Sequence, residues 1–207
     1  QIQNKSDSAS NPVNPDREDG LTHSPLVAWD IGTAYDLFIS LYVLHNPEKF
    51  GLRPPWAAGV RSRLNSEERQ TLEIAQDVIY IPFHWIATLP NYKDGERVLW
   101  ALKNLPPADR LPTLVFSGQF STDLMNLLKE IADRGRWTPK DQDAFREFYR
   151  SEHHENIRSK TLLKILDVWA DAKGVGEAYL QALQSYQQAF FAEAERRLMG
   201  TLEEGLA

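Results

Sequence analysis

Apolar residues recur at helical spacing from Ile31 onward. Ile31, Tyr35, Phe38, Ile39, Tyr42 and Val43 stand three and four apart, which predicts a helix with one apolar face. Asn46-Pro47 stops that helix and opens a short turn, with Asn46 placed as N-cap and Pro47 at the first helical position. Pro54-Pro55 predicts a second helix running through Trp56, Val60 and Leu64, and Asn65 with Glu68 has capping-box spacing for a third. Residues 77–89 are ambiguous. Val78, Ile79, Tyr80 and Ile81 favour a strand locally, but Pro82 interrupts the run and no partner strand is visible. The segment reads as a buried helix or an extended stretch inside an all-α core. Pro90, Pro106, Pro107 and Pro112 divide the middle third of the chain into short helices.

The second half of the chain is more regular. Leu124, Leu127, Leu128 and Ile131 form a stripe with Ser121 as its cap and Gly135 just past its end. Thr138-Pro139-Lys140-Asp141 combines a hydroxyl cap, a proline at the first position and an acid in the first turn, and Ala144, Phe145 and Phe148 supply the buried face. Leu162, Leu163, Ile165, Leu166 and Trp169 continue the pattern. Residues 176–206 contain no proline and predict one long helix, roughly 40 Å at 1.5 Å per residue. Its apolar side is Tyr179, Leu183, Tyr186, Phe190, Phe191, Ala194 and Leu198. The expected fold is all-α: a multi-helix orthogonal or bundle domain with a long C-terminal helix, spanning residues 25–207. Residues 1–24 carry too few apolar side chains to offset their ordering entropy and read as a flexible arm.

Composition narrows the function classes. A chain of 207 residues buries enough surface for a core without metal or disulfide. Cysteine is absent, which removes disulfide scaffolds, thiolate metal sites and cysteine nucleophiles. A net charge of −6 disfavours an extended nucleic-acid surface. No apolar run approaches the roughly 20 residues of a membrane span, and no basic-then-apolar leader opens the sequence. The expectation is a cytoplasmic protein with no membrane partner.

Motifs with catalytic chemistry are weak. Glu152-His153-His154-Glu155 carries metal-ligand types, but four consecutive helical residues fan around the axis, so a solvated helix end is the better reading. Ser117-Gly118-Gln119-Phe120-Ser121 is not GxSxG, and Lys173-Gly174-Val175-Gly176 lacks the third glycine and preceding strand of a dinucleotide site. No enzyme, metal or cofactor is therefore expected. Ala170, Gly174 and Leu180 match helix-turn-helix spacing, yet residues 177–186 contain no Lys or Arg to meet phosphates, so ordinary packing accounts for them. Trp29, Tyr35, Trp56, Tyr80, Trp85 and Trp100 crowd the first half, and His45 and His84 sit in apolar stretches. Tyr35, His45, Trp56, His84 and Trp85 are the candidate lining of a pocket for a small apolar ligand. The plainer reading makes them core residues, each histidine with one ring nitrogen satisfied.

Residues 24–64 also carry a resemblance. Ser40-Leu41, Leu44 and Pro47 match an SLxxLxxP helix ending, and Trp56 with Arg61-Ser62-Arg63-Leu64 comes after it. The sequence here resembles the N-terminal helical region of bacterial transcription regulators that end in an ArsR-like winged helix. Phe190-Phe191-Ala192-Glu193-Ala194-Glu195-Arg196-Arg197 is similar to the helix that precedes the DNA-binding module in those proteins. The resemblance implies a regulatory domain that homodimerises, senses a small ligand, or does both. No terminal β-hairpin or basic recognition helix is legible before Ala207, so DNA would be met only through a C-terminal winged helix outside this sequence. The alternative is a helical protein–protein interaction module without a small-molecule effector.

Overall fold

The computed structural model describes residues 32–90, 92–116, 121–153 and 156–206, with backbone alone for 152, 153 and 202–206. The predicted arm (1–24), His154-Glu155 and the Ser117–Phe120 turn lie outside the described residues. The protein is all-α, and no strand occurs among the described residues. The helices are α1 (Ala34–His45), α2 (Pro54–Arg61), α3 (Ser66–Ala75), α4 (Phe83–Thr88), α5 (Gly95–Asn104) and α6 (Pro107–Val115). They continue with α7 (Thr122–Arg134), α8 (Pro139–His153), α9 (Ser159–Ala170), α10 (Ala172–Tyr186) and α11 (Ala192–Leu206). A 3-10 turn, Pro47–Phe50, comes after α1, and a π-helical turn, Gln187–Phe191, joins α10 to α11 without a break.

Local chemistry sets most helix starts. Asn65 Oδ1 accepts from Glu68 N at 2.9 Å while Glu68 Oε2 accepts from Asn65 N at 2.9 Å, a complete capping box opening α3. Ser121 caps α7, and Gly135 closes it in the left-handed conformation at φ 65°. Thr138 and Asp141 bond reciprocally at the start of α8, and Arg134 pairs with Asp141 at 2.9 Å. Asn46 departs from expectation. Its side chain makes no cap bond to the turn ahead; instead Nδ2 donates back to Tyr42 O at 3.0 Å, so it finishes α1 rather than starting the next element. The second helix stops at Arg61, short of Leu64, which is buried from within a turn.

Two of the predicted faces rotate. In α1 the buried stripe is Ala34, Leu37, Phe38, Leu41 and Leu44, whereas Ile39 is exposed and Tyr35, Tyr42 and Val43 are half-buried. The helix is apolar almost all round, so spacing alone does not choose which side faces inward. The long C-terminal helix is present, begins earlier than expected at Ala172, and spans roughly 50 Å. Tyr179, Leu183, Tyr186 and Phe191 are buried as expected, but Leu198 is exposed. Between them the wider π turn, with its i→i+5 bonding, brings Gln187 inward as well. Residues 77–89 contain both predicted alternatives: an irregular stretch that buries Ile79, then the six-residue α4, which buries Ile86.

One hydrophobic core joins the elements, with Trp169, Tyr179, Tyr186 and Phe191 as its largest fully buried side chains. α10 is the central post, packed most extensively on α6 and α3 and also on α5 and α9. Gly176 permits the α10–α6 approach, because a Cβ there would lie 2.9 Å from the Pro107 carbonyl oxygen. α7, α8 and α9 form a second group, mutually packed and joined to the post through the α9–α10 corner at Asp171. Asp171 caps Gly174 N at 3.2 Å, so Gly174 lies in the first turn of α10 rather than in a turn between two DNA-reading helices.

Candidate functional site

The three-helix group of α7, α8 and α9 does not close completely. Leu124 and Leu128 of α7, Phe145 and Tyr149 of α8, and Ile165 and Trp169 of α9 surround a cavity of about 250 Å³. Val115 at the end of α6 and the Asp77-Val78 turn complete its wall. The volume exceeds that of the roughly 150 Å³ apolar cavity known to admit benzene. At the rim, the half-exposed Asp77 carboxylate receives Lys164 Nζ in an ion pair between the turn and α9. That pair ties one edge of the opening and cancels its charge.

Trp169 is the distinctive wall residue. It is fully buried, stacks on Phe116 with ring centroids 4.8 Å apart, and lies one residue before the end of α9. Its indole Nε1 is buried with no hydrogen-bond partner among the described residues. Buried N–H groups are nearly always bonded, because an unsatisfied one costs about 1–3 kcal/mol.

The five residues singled out from the sequence do not share this wall. Tyr35 is half-buried and stacks on Phe83 at 6.0 Å, while half-buried Trp85 meets Phe38 edge-on at 6.4 Å. Both belong to the α1–α4 contact. His84, from the same short helix, is exposed. Trp56 meets Phe190 edge-on at 5.8 Å, in an open groove with Arg63, Glu193, Arg197 and Leu198. His45 lines a separate open groove with Pro54, Arg61, Arg69 and Glu73. The structure thus brings Tyr35 and Trp85 onto neighbouring contacts and leaves His45 and Trp56 in different hollows.

His45 illustrates the plainer reading of a histidine in an apolar helix. Its Nδ1–H donates to Leu41 O at 2.8 Å, one turn back. Burial pushes its pKa below the ordinary 6.5, the bond to Leu41 opposes that shift, and nearby Arg61 adds to it. A depressed histidine pKa stabilises the fold above the unfolded value, because the neutral ring is the native form. As pH falls below 6.5 the unfolded chain binds a proton that the fold resists, so stability declines until the folded ring is itself protonated. Urea midpoints taken at about pH 7.5 and about pH 5.5 are expected to fall further for the wild type than for His45→Gln. Equal falls would show that His45 carries no linkage.

The polar residues that line the cavity are Tyr149 and the ion-paired Asp77, and no histidine is among its lining residues. No group of three metal-ligating side chains occurs among the described residues. Sequence reasoning assigned Leu124, Leu128, Phe145 and Trp169 to core faces, and they do point inward. Their shared hollow has no sequence signal, since it depends on how far apart three helices settle. No helix among the described residues is long and apolar enough to cross a membrane. No protein-family model, curated protein or solved structure matches the chain.

Proposed function

We propose that this chain is the regulatory domain of a bacterial transcription regulator, sensing a small apolar ligand and forming a homodimer, with DNA contacted by a winged helix joined beyond its C-terminus. The cavity between α7, α8 and α9 is the observation that carries this reading. Trp169 in its wall is succeeded directly by Ala170, the Asp171 corner and the long α10–α11 helix. A ligand that shifts the end of α9 therefore acts on the base of the helix that would reach a DNA-binding module. Such coupling requires a ligand that binds two arrangements of the corner with different affinity. The ArsR-like resemblance at Ser40-Leu41, Leu44 and Pro47, and at residues 190–197, supports the same assignment.

The test is thermal unfolding of the full chain across a library of small apolar and aromatic compounds. A genuine ligand at about 100 times its Kd stabilises by about 2.7 kcal/mol, which raises the Tm of a domain this size by roughly 5–10 °C. A flat response across the library removes the sensing reading. Exposed Tyr80, Tyr92 and Trp100, at 66%, 69% and 58% of full exposure, favour a second reading: a protein–protein interaction module without an effector. The intact mass of the protein in its own cell separates the two. A species about 8–12 kDa heavier than this chain leaves room for a winged helix, given the size of small modules.

A further inference from the structure

The open groove beside His45 is lined by charges of both signs that do not pair. Arg61 at the end of α2, Arg69 and Glu73 of α3, and the apolar Pro54 and Ala58 surround about 600 Å³ of space. Neither guanidinium lies within ion-pair distance of a carboxylate among the described residues, although Glu73 stands one turn beyond Arg69 on the same helix. Backbone carbonyls hold both cations instead. Arg61 Nε donates to Ala57 O at 3.4 Å, and Arg69 Nη1 donates to Leu64 O at 2.8 Å and to Arg61 O at 3.5 Å. The two are thereby gathered at the C-terminal end of α2, where the helix dipole favours positive charge. Capping these carbonyls uses only part of each five-donor guanidinium. Arg61 Nη1 and Nη2, and Arg69 Nε and Nη2, have no partner among the described residues.

We propose that this groove binds a small organic monocarboxylate, whose oxygens accept from the free N–H groups of Arg61 and Arg69. The site is separate from the α7–α8–α9 cavity and does not depend on the reading given to it. Guanidinium forks match the two oxygens of a carboxylate, and donors already held by the backbone lose little freedom on binding. Charge sets the limit: two arginines against Glu73 leave a surplus of one positive charge, which balances a carboxylate and not a phosphate dianion. The apolar part of the ligand rests on Pro54 and Ala58. His45 couples the site to pH. Its Nδ1 is tied to Leu41 O, so Nε2 is the ring nitrogen left for a ligand. Arg61 opposes protonation of the ring, Glu73 and Asp77 favour it, and Asp77 is already engaged by Lys164. A bound carboxylate adds negative charge beside the ring, so binding takes up a proton as pH falls below about 6.5.

Sodium butyrate and butyramide, which match in shape and differ in charge, are the probes, with inorganic phosphate as a third arm. Each is titrated into the full chain while two-dimensional spectra follow the arginine Nε–H signals and the His45 ring. Butyrate is expected to bind about ten-fold tighter than butyramide or phosphate, and to move Arg61 and Arg69 well before the exposed Arg196. Wild-type affinity should rise about three-fold between about pH 7.5 and about pH 5.5, and His45→Gln should abolish that rise. Arg69→Gln should weaken butyrate about ten-fold. The probe comparison and the pH series are read on wild-type protein, so the test stands even if a variant fails to fold. No saturable butyrate shift at Arg61 and Arg69, equal binding of butyramide, or equal shifts at every exposed arginine would overturn the site. Phosphate binding tighter than butyrate would overturn the monocarboxylate assignment, and an affinity indifferent to pH would remove His45 from it.

Discussion

Replacing Trp169 with alanine is expected to lower stability by about 3–5 kcal/mol, the range for a fully buried aromatic truncated to a methyl group. Trp169 has no exposed surface, stacks on Phe116, and belongs both to the core cluster and to the residues that line the cavity. Its removal merges the lost volume with a hollow that already exists, so the surrounding helices gain little by collapsing. For a domain near 200 residues this corresponds to a Tm drop of roughly 10 °C. Trp169→Phe should cost much less, about 1–2 kcal/mol, because it keeps a ring against Phe116 and gives up an N–H that forms no bond. Urea denaturation of both variants decides the matter. Equal losses would mean that a ring stacked on Phe116 does not account for the stabilisation.

The second large effect is expected at Glu195, on the half of the long helix beyond the π turn. Its Oε1 accepts from the fully buried Thr33 hydroxyl, at the start of α1, and from Gly95 N at 2.8 Å, at the first turn of α5. Asp94 caps the same turn by accepting from Arg97 N at 2.7 Å, so two carboxylates face the positive end of α5. Glu195→Ala strands a buried hydroxyl and a helix-terminal N–H, and is expected to cost about 2–3 kcal/mol, as for charge-assisted bonds at a partly buried site. Glu195→Gln retains an acceptor and should lose about half as much. Amide exchange in α11 should accelerate in Glu195→Ala more than in α3, which the Asn65–Glu68 box and the Glu68–Ser185 bond hold independently. Uniform acceleration across the protein would mean that Glu195 contributes to global stability without specifically clamping α11.

The same carboxylate bears on Asp36. Burial first, and then the proximity of Glu195, raise the Asp36 pKa above its ordinary 3.8, against the opposing effect of its backbone hydrogen bond. The N-terminus of α1, the start of α5 and α11 therefore meet at one electrostatically crowded point. That point fastens the α11 part of the long helix to the starts of α1 and α5.

The sequence by itself determined that the chain is all-α and where several of its helices start. The signals for these are short-range. Asn65 with Glu68, Ser121 with Leu124, and Thr138 with Asp141 each act over three residues, and the absence of proline after Pro139 lets residues 172–206 run as one helix. The tertiary structure decided the rest. It chose the inward face of α1, where apolar residues surround the axis, and left Ile39 outside. It separated Trp56 and His45 from Tyr35 and Trp85, although all stood in apolar stretches of one half of the chain. It opened the cavity among residues that any periodicity would assign to a filled core, and brought Glu195 to partners 162 and 100 residues away. Backbone hydrogen bonding and helical spacing are local and can be read along the chain. The gap left between three helices depends on how separate surfaces fit, and no pattern within a single helix records that.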